Sequence, residues 1–171
     1  GSQVQLFNLA RAFQNRKLQV DYLTQDHTKK RDDGLYEGVS VHWTSVRPGY
    51  LNRFFEIIPT LRILDVLAPD IVYQRGRSHL TFVAAYWARN NGKKMVWGTN
   101  GEDSGEFWKY RIRLKRSKRS LWRKIVLFPY MVLLDLLVHW GIRRVDQAVN
   151  QTAYQKNRLE HNFQKTGVVL P

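Results

Sequence analysis

The chain has 171 residues, of which 28 are Lys or Arg and 14 are Asp or Glu, so its formal net charge is +14. Hydrophobic residues make up 43% and charged residues 25%, which is too apolar for a disordered polycation and too charged for a protein with many membrane spans. The absence of cysteine excludes a disulfide-stapled secreted module, a Cys-type zinc site and a thiol nucleophile. We therefore expect a folded protein of a reducing, cytoplasmic setting whose partner is nucleic acid, an anionic membrane or a phosphorylated small molecule.

The first part of the chain predicts a helix, two strands and a second helix. Apolar residues recur at near-helical spacing over 3–17, and alternating runs over 18–24 and 39–43 predict strands on either side of a charged loop. After a turn at 47–49, a helix is expected over 50–68 with a kink at Pro59.

The rest of the chain alternates short strands with helices. Strands are predicted at 71–73, 94–97, 147–150 and 168–170, and helices at 80–91, 106–144 and 152–162, with Ser78 as an N-cap. This alternation implies right-handed crossovers and a parallel sheet. The predicted fold class is therefore α/β, with a doubly wound, mostly parallel sheet, helices on both faces, and residues 1–171 in a single Rossmann-like domain.

Ligands of such sheets bind at the carboxyl ends of the strands, which directs attention to 74–77, 98–103 and 151–152. There, Arg75 and Arg77 are either phosphate ligands or ordinary surface arginines.

An acidic cluster follows the predicted strand at 94–97 and contains Glu102, Asp103 and Glu106. Asn100 and Asp103 lie where the fold rule places ligand contacts. A carboxylate here could orient or deprotonate a hydroxyl group, or could instead cap the helix that begins near Glu106.

The segment Phe107–Lys124, called here the basic segment, contains nine basic residues and no acidic one. Phe107, Tyr110, Leu114, Leu121 and Ile125 are predicted to follow one side of a helix, with tryptophans near its ends. A basic amphipathic helix with aromatic residues at its ends is typical of binding in the plane of an anionic membrane. The predicted membrane-binding residues are Trp108, Lys109, Arg111, Arg113, Lys115, Arg116, Lys118, Arg119, Trp122, Arg123 and Lys124.

Two other interpretations of the basic segment remain open: a solvated charged face over an ordinary core stripe, and a nucleic-acid surface. Nucleic acid is disfavoured because no RNA-binding or helix-turn-helix signature surrounds the basic residues. The apolar run Ile125–Trp140 is interrupted by Pro129, Asp135 and His139 and is shorter than the roughly 20 residues of a spanning helix. We therefore reject a transmembrane span. The run could dip into the bilayer or be a buried crossover helix, and we favour the buried helix. No histidines have metal-ligand spacing, so no metal site is predicted.

Several segments, taken in order, resemble the amino-terminal domain of family 4 glycosyltransferases, which have the two-lobed GT-B architecture. Residues 67–73 (LAPDIVY) are similar to that family's PDVVH strand, and 146–154 (DQAVNQTAY) to a later strand and turn. Residues 167–171 (GVVLP) resemble the strand that leads into the second lobe, and 1–13 the end of the glycine loop and the first helix. The resemblance covers essentially the whole chain.

The resemblance implies transfer of a sugar from a nucleotide-sugar to an acceptor, usually with retention at the anomeric carbon. The donor would be held mainly by a carboxyl-terminal lobe that 1–171 does not include, so this lobe alone is expected to be inactive and to bind no cofactor tightly. Backbone amides of Gly1 and Ser2 would approach the donor diphosphate. The residues expected to line the site are Arg75, Arg77, Asn100, Asp103 and Thr152, with Asp103 and Glu102 as the catalytic candidates.

The chain departs from the family pattern at two places. No His follows the fourth strand at Tyr73 or Gln74, and the fifth strand leads into Thr99–Asp103 and not into a His-Asp turn. Our interpretation is the acceptor- and membrane-binding lobe of a glycosyltransferase, peripheral on the inner face of the membrane, whose acceptor is lipid-linked or a polysaccharide. The alternative is a noncatalytic basic α/β module that binds nucleic acid or a protein partner.

Overall fold

A computed structural model of the protein describes residues 2–26, 32–45 and 52–170. They form two compact units, Gly1–Ala68 and Pro69–Pro171, which are described separately. The elements in chain order are α1 (Ser2–Gln14), β1 (Asp21–Asp26), β2 (Gly34–Tyr36), β3 (Val39–Ser45), α2 (Asn52–Phe55), α3 (Ile57–Leu67), β4 (Ile71–Arg75), α4 (His79–Asn90), β5 (Lys94–Gly98), a 3-10 turn (Glu102–Gly105), α5 (Lys109–Arg116), α6 (Leu121–Arg143), β6 (Gln147–Asn150), α7 (Ala153–Phe163) and β7 (Gly167–Val169).

The first unit is built on a three-stranded sheet in the order β1-β3-β2. β1 and β3 run parallel, whereas β2 pairs with β3 in an antiparallel hairpin that the sequence did not predict. Ala10 of α1 and Val39 and Val41 of β3 form its buried core, and Phe7 and Tyr22 pack edge to face beside them with ring centroids 5.9 Å apart. The predicted helix at 3–17 and strand at 39–43 are confirmed. The turn predicted at 47–49 lies outside the described residues.

The helix predicted over 50–68 is divided, but the kink expected at Pro59 is wrong. The break between α2 and α3 is at Glu56, whose buried side chain accepts a 2.6 Å hydrogen bond from Gln25. Pro59 is the third residue of α3, where no backbone N–H is needed for the helix, because the first bond runs from Thr60 N–H to the Glu56 carbonyl. The helix ends at Leu67, and the next residue, Ala68, caps it with a left-handed φ of 43°.

The second unit contains a four-stranded parallel sheet in the order β4-β5-β6-β7. The strands predicted at 94–97, 147–150 and 168–170 are confirmed within one residue. Helix α4 packs on β4 and β5, and α7 on β6 and β7. A parallel sheet flanked by helices confirms the predicted α/β fold class.

The core of this unit is continued by α6, which packs along α4. The two helices meet closely at Gly141, where an added Cβ would lie 2.8 Å from the Thr81 carbonyl oxygen. Leu134, Val138 and Ile142 of α6 are fully buried. One face of the carboxyl-terminal half of α6 therefore lies in the core of this unit.

The basic segment is not one helix with one apolar side. It is α5 and the start of α6, separated by the irregular residues 117–120. Tyr110 and Leu114 are buried as expected, but Leu121 is 75% exposed and Ile125 is 56% exposed. The predicted continuous stripe is wrong, because the break turns the two helices independently, and the expected burial of Ile125–Trp140 begins only at Tyr130.

Candidate functional site

The carboxyl ends of three strands of the parallel sheet meet at one edge. Gly76, directly after β4, donates its N–H to the Gly98 carbonyl at 2.8 Å, and Thr99, directly after β5, donates its N–H to Val149 of β6 at 2.9 Å. The loops that follow β4, β5 and β6 are therefore fastened side by side. Of the sequence-predicted site residues, Arg75 is the last residue of β4, and Asn100 and Thr152 lie in the loops that follow β5 and β6.

Asn100 lies against the loop that follows β4. An added Cβ on Gly76, whose φ is +83°, would be 3.4 Å from the Asn100 Cβ. The Gly76 carbonyl accepts a 2.7 Å hydrogen bond from the buried indole of Trp97, and Asn100 N–H donates to Ser104 Oγ at 3.1 Å. Asn100 is an exposed residue at this edge of the sheet.

Thr152 begins α7 and its hydroxyl accepts from Gln155 N–H at 3.2 Å, so it is an N-cap. Gln155 turns its side chain back to the strand ends, where its Oε1 accepts from Thr99 Oγ1 at 2.7 Å and from Gln151 N–H at 2.8 Å. This buried glutamine fixes the β5 and β6 loops relative to each other. Sequence reasoning missed it, since a polar residue within a helix gives no sign of being buried.

The acidic cluster is spread over the 3-10 turn and the residue after it. Asp103 is 2.9 Å from the Lys109 ammonium and keeps 55% of its side chain exposed, while Glu106 pairs with Arg158 of α7. Glu102 is exposed. Of the two catalytic candidates, Asp103 is therefore oriented by an ion pair and accessible.

Arg77, the second arginine predicted to bind phosphate, points into the protein. Its Nη2 lies 3.0 Å from Asp135 Oδ1 of α6, and both side chains are 0% exposed. The same nitrogen donates to the Phe107 carbonyl at 2.8 Å, and Tyr110 Oη donates to the Arg77 carbonyl at 3.3 Å. Nη2 makes both of these side-chain contacts inside the protein, while Nε and Nη1 are buried without a hydrogen-bond partner among the described residues. We therefore assign Arg77 a positioning role and retain the half-buried Arg75 as the more accessible of the two arginines.

Asp135 also caps α5 from a distance of 25 residues in the chain. It accepts hydrogen bonds from the N–H groups of Tyr110 at 3.1 Å and Arg111 at 3.0 Å, at a helix start where Trp108 supplies no side-chain cap. Burial raises the pKa of Asp135, and the two amides and Arg77 oppose that rise. Burial lowers the pKa of Arg77, with Asp135 opposing. The one sign of Asp135 in the sequence was that it is a single acidic residue within the apolar run Ile125–Trp140.

The basic surface is built on α5 and on the start of α6. Arg113, Lys115 and Arg116 are exposed, and Lys124 Nζ donates to the Lys115 carbonyl at 3.0 Å, which ties the two helices together. The Arg111 guanidinium lies over the Trp108 ring, 4.3 Å from its centroid. Trp122 is 72% exposed. The structure thus separates the predicted membrane-binding residues into a packed group around Trp108 and an open group around Trp122.

Two properties of the described residues bear on a metal site and on a membrane span. Among the residues the structure describes, no three His, Asp or Glu side chains are grouped to hold a metal ion. In the same residues, α6 is the one helix long and apolar enough to cross a membrane by length and composition. The buried Asp135 and the close packing at Gly141 belong to a core helix. Gly1 lies outside the described residues, and Ser2 is the first residue of α1.

Comparison with known proteins gives one finding. A search of curated proteins finds no match. A family model described as Glycosyltransferase Family 4 matches residues 1–169, which is nearly the whole chain. Together with the parallel sheet and its convergent strand-end loops, this match shows that the chain belongs to glycosyltransferase family 4.

Proposed function

We propose that this chain is the acceptor- and membrane-binding lobe of a glycosyltransferase that moves a sugar from a nucleotide-sugar to a lipid-linked or polysaccharide acceptor. The observation that carries the proposal is the link between the strand-end loops and the basic segment. Arg77, in the loop after β4, reaches Asp135, which caps α5. One buried ion pair therefore sets both the loop that would meet the acceptor and the helix that would meet the membrane.

The acceptor side of the reaction would be at the edge formed by Arg75, Asn100, Asp103 and Thr152. The Asn100 amide and the Asp103 carboxylate are groups that orient sugar hydroxyls by hydrogen bonds. Lys109, 2.9 Å from Asp103, keeps a cation beside that carboxylate. Asp103 would accept a hydrogen bond from the attacking hydroxyl, with Glu102 as the second acid of the turn.

The donor side is assigned to a carboxyl-terminal lobe, in line with the family architecture. The nucleotide-sugar is then a substrate and no tightly bound cofactor is needed. Backbone amides at Gly1 and Ser2 would face the donor diphosphate. In this proposal the lobe described here transfers little sugar alone, and transfer retains the anomeric configuration.

The membrane side is assigned to the basic segment, at the inner face of the membrane. Each Lys or Arg near an anionic surface contributes about 1 kcal/mol to binding, so half of the nine bases suffice for peripheral association. The second function to be tested is a noncatalytic module that binds nucleic acid, because basic residues attract phosphates of nucleic acid as they attract anionic lipid head groups.

The test uses the polypeptide that carries this lobe together with the carboxyl-terminal lobe. Vesicles of extracted membrane lipid serve as the acceptor, and release of nucleotide from a panel of nucleotide-sugars is measured together with co-sedimentation. We expect lipid-dependent nucleotide release with one donor, and binding to anionic but not to neutral vesicles. Replacing Lys115, Arg116, Lys118 and Arg119 by Ser should lower vesicle binding at least tenfold, as expected for losing several contributions of about 1 kcal/mol.

The matched control removes the same charge elsewhere, at Arg16, Arg62, Arg89 and Lys165, and should bind vesicles as the wild type does. Equal losses in both variants would reduce the effect to net charge and contradict the assignment of the basic segment. Salt-sensitive binding to duplex DNA or RNA without lipid-dependent nucleotide release would favour the nucleic-acid module instead.

A further inference from the structure

Helix α6 carries an apolar stripe on its outer face. Trp122, Val126, Pro129, Leu133 and Leu136 recur at spacings of four and three, which aligns them on one side of a helix. They are all exposed, with 72% of Trp122, 56% of Val126, 45% of Leu133 and 46% of Leu136 accessible. At 1.5 Å per residue the stripe is about 21 Å long.

The opposite face of α6 is held by the protein. Leu134, Asp135 and Val138 are fully buried, and Gly141 allows the backbone to approach Thr81 of α4. A helix that is apolar on every side is normally buried on every side, in protein or in lipid. In the described part of the second unit, nothing covers the outer stripe.

Charge indicates which surface covers it. From Phe107 to Leu134 the sequence contains no acidic residue, and the basic segment runs directly into the amino-terminal end of the stripe. A second copy of a chain with a formal charge of +14 would be repelled at this surface. An anionic bilayer supplies both negative head groups for the bases and hydrocarbon for the stripe.

We propose that α6 is an in-plane membrane anchor, with its inner face in the core of the second unit and its outer apolar stripe inserted among the lipid acyl chains. The inference rests on the proposed membrane contact and deepens it, because insertion differs from electrostatic adsorption. Interfacial helices of this kind bury their apolar face to a depth of about 5–10 Å. Bases of the basic segment remain at the head groups, and Trp122 marks the junction between the two zones.

The test measures how this protein binds vesicles of phosphatidylcholine and phosphatidylglycerol at low and high salt. Because hydrophobic burial is not screened by salt, a fraction of the wild type should remain bound at 1 M NaCl. Replacing Val126 and Leu133 by Ser changes no charge and should lower the high-salt partition coefficient at least tenfold. The matched control replaces Ile58 and Val66 of α3, which are 60% and 84% exposed, and should leave it unchanged.

The depth of insertion is measured by tryptophan fluorescence in vesicles whose acyl chains carry bromine, which quenches nearby tryptophans. The Trp122 signal is the fluorescence of the wild type minus that of Trp122→Phe. Quenching of the Trp122 signal is expected. Binding to anionic vesicles that disappears in high salt, with no quenching, would overturn insertion while leaving the proposed membrane contact intact. Failure to bind anionic vesicles at any salt would overturn both. A lipid-free dimer that Val126→Ser with Leu133→Ser abolishes would assign the stripe to a second copy and overturn the proposal.

Discussion

The helices of the second unit begin in two different ways. α4 and α7 each carry their own cap: Ser78 accepts from Leu80 N–H at 3.2 Å and forms a capping box with Thr81, and Thr152 accepts from Gln155 N–H at 3.2 Å. α5 and α6 begin at Trp108 and Ser120, whose side chains make no cap bond. The start of α5 is capped instead by Asp135, a residue of α6.

The two kinds of helix start depend on different parts of the chain. The starts of α4 and α7 are specified by neighbouring residues, so these two helix starts do not depend on Asp135. The basic helix α5 depends on one carboxylate that is itself paired with Arg77. The start of α5, the helix that carries five of the nine bases of the basic segment, is therefore less locally determined than the starts of α4 and α7.

The largest effect is expected for Asp135→Ala. The change leaves the Arg77 guanidinium as a buried charge without its partner and leaves the first amides of α5 uncapped. Breaking such a pair from one side costs about 3–5 kcal/mol of unfolding free energy. Urea denaturation followed by far-ultraviolet circular dichroism measures it.

A double variant tests whether the unpaired charge of Arg77 causes this loss of stability. Arg77→Met combined with Asp135→Leu removes both charges and should be less destabilised than Asp135→Ala alone, because no charge remains buried and unpaired. A loss below about 1 kcal/mol for Asp135→Ala, typical of exposed pairs, would contradict the description of this pair as buried.

An intermediate effect is expected for the two local caps. Ser78→Ala and Thr152→Ala should each lower the unfolding free energy by about 1 kcal/mol, because each removes the oxygen that accepts a first-turn amide. The chain offers its own control in Ser120→Ala, where the serine precedes α6 without capping it and the cost should be near zero. If all three variants lost the same stability, the contrast between the two kinds of helix start would fail.

The smallest effect is expected in the first unit, where another contact between distant residues is only partly buried. His42 lies 3.0 Å from Asp21 and 3.2 Å from Asp33, and 19% of its side chain is exposed. Burial lowers the pKa of His42, but the hydrogen bonds and charges of the two carboxylates outweigh it, so the pKa is raised. A raised pKa stabilises the folded state fully below the unfolded value near 6.5, and this stabilisation is lost as pH rises through the folded value.

The measurement is the unfolding free energy between pH 5 and pH 9, compared with His42→Gln. We expect a decrease of no more than about 1 kcal/mol in the wild type as pH rises, since the Asp33 side chain is 57% exposed and its charge is screened by solvent. The variant should remove that part of the pH dependence. An identical pH profile for both proteins would show that His42 is not the titrating group.

Local chemistry explains which parts of the fold could be predicted from the sequence. The four strands of the parallel sheet and the cap at Ser78 follow from runs of apolar residues and from a serine just before a periodic helix. The hairpin strand β2 was missed because its three residues, Gly34–Tyr36, are all exposed and show no alternation of burial.

The candidate site could be predicted only in part, for the same reason. The strand-end rule directs attention to Asn100, Asp103 and Thr152, which lie after β5 and β6 in the structure. Their role as ligand contacts stays a prediction. The buried partners Asp135 and Gln155 contact residues 24 to 58 positions away, and no pattern in the sequence connects them. The exposure of the start of α6 was also hidden, because a helix that is apolar on all sides does not reveal its buried face.

Because α5 is capped by a residue of α6, the start of α5 can be completed only after α6 has folded into place. The amides of Tyr110 and Arg111 can be protected from exchange with solvent only after α6 has docked on α4 and brought Asp135 into the interior. The start of α4 completes its own turn without waiting for any distant residue. During synthesis, residues 109–116 would therefore leave the ribosome before the chain can cap them, and α5 would be completed late, once residue 135 and the turns that follow it have emerged and folded.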